Sequence, residues 1–135
     1  MKIAILVLIA HLIITAYADD LDRSKKLGYQ GFNAEGDSVE KTLAKLKDDP
    51  EVNIRVSEGW TIATKESGRV IWSFTPINHP ANPSFVKREI VERDGSIFID
   101  TSASCSSTKE ICDKLVQDFV DLNNKILENI NRQNN

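Results

Sequence analysis

The chain is poor in the residues from which reaction centres are usually assembled. Of its 135 residues two are histidine, and His11 lies in an apolar stretch at the start, which leaves His79 to everything downstream. With two cysteines spaced as Cys105 and Cys112, there is no C-x-x-C pair and no H-x-x-x-H pair, so the ligand spacing of a zinc site is missing. No glycine-rich strand-to-helix turn offers a phosphate cradle, and no G-x-S-x-G elbow surrounds a serine that His79 could serve. Lys and Arg number 17 against 20 acids, a formal charge of −3. That balance lacks the basic stripe expected of a nucleic-acid or anionic-membrane binder. No cofactor and no metal are implied.

What is present starts at the N-terminus. Lys2 precedes an unbroken apolar run, Ile3 to Ala10, and the segment closes on Ala16-Tyr17-Ala18 before Asp19-Asp20. A charged start, a short apolar middle and a small-x-small exit predict a secretory signal peptide over residues 1–18. The run is too short for a bilayer that needs roughly twenty apolar residues, and no second run follows, so the processed chain is expected to have no membrane span. No cysteine follows Ala18, so no lipid attachment is indicated. Losing Lys2 with the leader takes the balance to −4 over the remaining 117 residues, the size of one domain. The address is the periplasm or the medium. In an oxidising compartment an even cysteine count predicts one disulfide, Cys105–Cys112, in preference to a C-x6-C redox pair.

Four segments follow from the pattern: the signal peptide 1–18, a polar leader 19–36, one α+β domain over 37–131 and a frayed tail, 132–135. Asp37 with Glu40 three places on reads as a capping box, and Val39, Leu43 and Leu46 form a stripe that Pro50 ends, so an N-terminal helix is predicted. Residues 52–56, 60–65 and 69–75 alternate with period two, as strands of a three-stranded meander do. Three-residue loops, 57–59 and 66–68, pair Val56 with Trp60, Ile62 with Trp72 and Trp60 with Phe74, which collects the apolar set on one face. A two-residue second loop pairs Ile62 with Ser73 and scatters that set, so the first register is expected.

Pro76, Pro80 and Pro83 stiffen the connection that follows. A hairpin over 85–93 and 96–104 then turns at Asp94-Gly95, pairing Ile90 with Ile99 and Val86 with Ala103. Ser107 and Glu110 form a second capping box, and Ile111, Leu115, Phe119, Leu122, Ile126 and Ile130 mark a long C-terminal helix. The fold class is α+β: an N-terminal helix, a five-stranded antiparallel sheet made of the meander plus the hairpin, and a long C-terminal helix packed on one sheet face. Trp60, Trp72, Phe74 and Phe119 are the expected bulk of the core.

Three places could carry function. The stretch 75–88, TPINHPANPSFVKR, has no glycine, and a stiff loop loses little entropy on binding. Asn78, His79 and Asn82 are its candidate contact residues, together with the turns at 57–59 and 66–68. The hairpin sets Glu89 opposite Asp100, an unfavourable like-charge pair that a site for a cation or substrate amine, or an acid/base role, would explain. The simpler reading is that Lys87 and Arg93 on the same face screen it in open solvent. Arg88 and Glu92 fall on the apolar face and are expected to snorkel outward at its rim. Third, an apolar ligand could sit between the sheet and the C-terminal helix, among Trp60, Trp72 and Phe119.

The string W-S-F-T-P then H-P-A-N-P-S-F-V-K-R (Trp72 to Arg88), followed by Asp94-Gly95, Cys105, Cys112-Asp113, Leu115, Phe119 and Leu122-Asn123, resembles small exported bacterial proteins of no assigned activity. The resemblance covers residues 52–123, implies a compact periplasmic or secreted domain, and brings no catalytic residue with it. The expected role is a noncatalytic exported module that binds a protein or a cell-envelope component, as an enzyme inhibitor would. The alternatives are a carboxylate enzyme built on Glu89 and Asp100, or a carrier of a small apolar ligand.

Overall fold

The computed structural model describes residues 31–133. The expected signal peptide and the first part of the polar leader lie outside the described residues. Helix α1 spans Val39–Asp48. Its cap is Ser38, whose Oγ accepts the Lys41 N–H at 3.2 Å, one residue beyond the expected Asp37. Asp37 is instead a buried anchor. Its N–H donates to Asn33 Oδ1 at 2.8 Å, and its carboxylate takes Lys41 at 2.7 Å and also Lys45. Val39 and Leu46 are buried along one stripe, and the chain turns extended at Asp49, as the residue before a proline must.

Five strands follow: β1 (Asn53–Ser57), β2 (Trp60–Lys65), β3 (Val70–Phe74), β4 (Ser84–Arg93) and β5 (Ser96–Cys105). They form one antiparallel sheet in sequence order. The β4–β5 register is the expected one, with Ile90 opposite Ile99 and Glu89 opposite Asp100. The meander register is not. Ser57 pairs with Trp60, so the first connection is the two-residue turn Glu58-Gly59, with both residues at positive φ (51° and 82°). Such a turn matches the twist of paired strands and needs no third residue. The second connection takes four residues, 66–69, and pairs Ile62 with Ser73, the alternative that scatters the apolar set.

The scattering has a purpose that sequence pattern alone did not reveal. Side chains alternate across a sheet, so the observed register sends Ile54, Ala63, Trp72, Phe74 and Phe85 to one face and Trp60, Ile62, Val86 and Ala103 to the other. Both faces are apolar and each has its own helix. Val39 and Leu46 of α1 cluster with Ala63, Phe74 and Phe85. On the opposite face Cys112 and Leu115 cluster with Ala81, Val86, Ala103 and Cys105. The architecture is therefore α+β in three layers, and the idea of a single covered face is corrected.

Helix α2 runs Lys109–Gln133 and continues into the tail expected to fray at 132. Thr108, rather than Ser107, caps it: its carbonyl accepts the Cys112 N–H at 2.9 Å and its Oγ1 accepts the Ile111 N–H at 3.4 Å. Ser107 instead donates to the Pro80 carbonyl at 3.3 Å. The Cys105–Cys112 disulfide is formed, with a Cα–Cα distance of 5.9 Å, and ties the end of β5 to the first turn of α2. Among the described residues no helix is long and apolar enough to cross a membrane.

Candidate functional site

In an up-and-down sheet successive connections alternate ends. The turn at Glu58-Gly59 therefore shares an end with the 75–83 loop and with the disulfide, while the 66–69 connection lies at the opposite end with Asp94-Gly95. The two expected contact turns are separated by the length of the sheet. At the shared end the packing is close: a Cβ on Gly59 would stand 3.3 Å from Pro76 Cβ.

The 75–83 loop is braced from within. Thr75 Oγ1 donates to the Ser84 carbonyl at 3.1 Å and accepts the Ser84 N–H at 3.1 Å. Asn82 Nδ2 donates to the Thr75 carbonyl at 3.2 Å and to its Oγ1 at 3.3 Å. The carbonyls of Pro76 and His79 accept the N–H groups of His79 and Asn82, at 3.0 and 2.9 Å. His79 Nδ1 accepts the Ala81 N–H at 3.0 Å, and the imidazole meets Trp60 edge-on with centroids 5.3 Å apart. Ala81 is fully buried in the α2-side core. Two of the three expected contact residues, His79 through Nδ1 and Asn82 through Nδ2, thus help hold the loop. Asn78 is exposed.

The residue that the sequence reading passed over is Ile77, 93 % exposed at the outer bend of this loop. A signal was available. Ile77 stands between Pro76 and Asn78 with no apolar residue at period two on either side, so no strand or helix face could claim it.

A cleft of about 800 Å³ opens beneath α1, floored by Trp72, Phe85 and Leu46 and rimmed by Asn33, Asp37, Lys45, Lys87 and Ser102. Lys87 Nζ lies 5.6 Å from the Trp72 ring centre. Trp72 belongs to this cleft. Trp60 and Phe119 meet each other on the opposite face with centroids 5.7 Å apart. The three aromatics proposed to surround an apolar ligand do not converge, because the sheet lies between them.

Glu89 and Asp100 do stand opposite one another, and each has its own cation. Glu89 lies 3.6 Å from Lys87, and Asp100 pairs with Arg93, on open surface. Arg88 departs from expectation. Its guanidinium lies over the Phe119 ring at 5.2 Å, with Nε buried and unpaired and Nη1 at a long 3.5 Å from Asn123 Oδ1. Burial holds its pKa below the ordinary arginine value. Among the described residues no three of His, Cys, Asp or Glu converge as metal ligands would. The chain matches no protein-family model, no curated protein and no solved structure.

Proposed function

We propose that this chain is an exported, noncatalytic binding module that docks on a protein partner through the 75–83 loop, with Ile77 as the anchor. The carrying observation is the contrast within that loop: an almost wholly exposed isoleucine on a backbone fixed by its own hydrogen bonds. Burying such a side chain in a partner's pocket is worth roughly 1.5–3 kcal/mol. A loop that is already ordered gives little of that back as lost entropy. An inhibitor of a proteolytic or wall-degrading enzyme is the specific form that fits, since a stiff loop with one projecting apolar residue suits an enzyme's side-chain pocket. Export is supported by the N-terminal pattern and by the disulfide. The separate cations on Glu89 and Asp100 favour a role without acid/base chemistry.

The test is affinity capture from the envelope fraction with the wild-type protein and with Ile77→Asp, followed by reconstitution with the purified partner. Ile77 touches too little of the core for its loss to unfold the domain, so thermal melting of the variant is expected to match wild type. A partner bound by wild type at least tenfold more tightly than by Ile77→Asp supports the reading. Equal binding by both ends it.

The α1 cleft favours a second reading, a carrier for a small molecule with an apolar body and a hydrogen-bonding end that reaches Lys87 or Ser102. Ligand binding there would change Trp72 fluorescence and be indifferent to Ile77→Asp.

A further inference from the structure

We propose that β5 is a pairing edge for a second copy of this chain, two copies joining antiparallel about Phe98 into one ten-stranded sheet. Among the described residues β5 pairs only with β4, and its outer edge is open over residues 96–102, while Ala103, Ser104 and Cys105 are buried. Edge strands are normally blunted by Lys, Pro, a bulge or shortness. The sequence SIFIDTSASC has no Lys, Arg or Pro, its register to β4 is unbroken, and it leaves Ile97 44 % and Phe98 43 % exposed. The other edge, β1, is five residues long, carries Arg55 and follows Pro50.

Hydrogen-bond parity fixes which residues can reach outward. The Ile90 N–H points away from β5, to the Arg69 carbonyl at 2.8 Å. Its partner Ile99 therefore directs its own N–H and C=O to the open edge, and so does Ile97 two residues earlier. A two-fold axis at Phe98 sets Ile97 against Ile99 of the second copy, and the outward groups of both meet.

Other axes fit worse. One at Asp100 sets two carboxylates face to face, and one at Ile99 sets Phe98 against Asp100. The Phe98 axis also completes the rows on both faces. On the α2 side, Ile90 and Ile99 are joined by the copy's Ile97. On the other side, the Glu89–Asp100 row gains the copy's Ser96 and, one strand further, its Arg93. The row already carries Lys65 beyond Val70 on the Glu89 side, and the copy's Arg93 adds a cation on the Asp100 side.

The protein holds no free thiol, so a single introduced cysteine reports contact between copies directly. Facing residues of a non-hydrogen-bonded antiparallel pair have Cα atoms about 4.5 Å apart, inside the roughly 4.4–6.8 Å range of disulfides. Phe98→Cys is expected to give a covalent dimer on mild oxidation, at several times the yield of Asp100→Cys or Ser102→Cys. Sedimentation of the whole protein between about 10 and about 200 µM is expected to show a monomer–dimer equilibrium, as a small interface gives. Ile99→Pro, which removes an outward N–H and leaves the β4 ladder intact, is expected to abolish it with unchanged circular dichroism. Phe98→Lys is the second variant, expected to do the same should proline disturb the strand. A monomer at the highest concentration, association that survives both substitutions, or equal cross-linking at Phe98 and Asp100 overturns the proposal.

Discussion

Trp60 and Trp72 stand on neighbouring strands and look in opposite directions, the first toward Phe119 of α2 and the second toward the cleft beneath α1. The sheet is consequently a middle layer with two cores. The parity that separates the two indoles is set by the four-residue connection 66–69, which pairs Trp72 with Ala63.

The Glu58-Gly59 turn, which sets the β1–β2 register, is the first place to test. Gly59 has φ of 82°, and an added Cβ would also press on Pro76 at 3.3 Å. Gly59→Ala is expected to cost about 1–3 kcal/mol, read as a lower urea midpoint at unchanged slope. Glu58, at φ 51°, is the complementary case. Asparagine tolerates that conformation better, so Glu58→Asn is expected to gain about 0.5 kcal/mol.

Arg88 is half-buried with no acid against it among the described residues. Its apolar stem and guanidinium cover Phe119, while its Nε finds no acceptor among the described residues. Arg88→Met keeps the packing and removes the desolvated charge, so thermal melting is expected to stay level or rise. Asn123→Ala runs the other way. It deprives the Thr101 hydroxyl of a 2.8 Å partner and the Arg88 guanidinium of its 3.5 Å acceptor, and is expected to cost about 1–3 kcal/mol.

The disulfide closes a loop of eight residues, counting both cysteines, whose loss frees the unfolded chain by about 2.5 kcal/mol on the chain-entropy account. Cys105→Ser with Cys112→Ser is expected to lower the unfolding free energy by that amount, read as a lower denaturant midpoint. Both sulfurs lie in the fully buried α2-side core, so the cost falls on α2 first. Hydrogen exchange should show α2 amides losing protection before those of β2 and β3.

Acid is expected to loosen α1 before the rest. Hydrogen bonds from Lys41 and then Lys45 hold the Asp37 carboxyl below the ordinary aspartate value. A depressed carboxyl contributes stability that is complete above its unfolded pKa and is lost as pH falls through the folded one. The loss therefore lies below about pH 4 and is absent at neutrality. Lys65, bonded to Asp49 at 2.8 Å and to Glu51 at 3.1 Å, is raised above 10.5 by those bonds. Its contribution is present below the unfolded value and fades as pH rises past it. Asp37→Asn is expected to flatten the acid limb of a pH–melting profile and leave the alkaline limb unchanged.

The sequence by itself determined the elements that are governed by near neighbours. The Asp94-Gly95 hairpin and its register, the long helix marked by Ile111, Leu115 and Phe119, and the closeness of Cys105 to Cys112 all depend on contacts a few residues apart, where turn chemistry and periodicity act. It placed the loop at 75–83 but not its anchor, because Asn78, His79 and Asn82 look alike as polar loop residues until their hydrogen-bond partners are known. The tertiary structure alone decided that His79 and Asn82 turn inward and Ile77 outward, and that Trp72 parts from Trp60. One-residue differences in turn length invert every side chain downstream. The choice between one apolar face and two was therefore settled by the second helix, which gave the scattered residues somewhere to be buried.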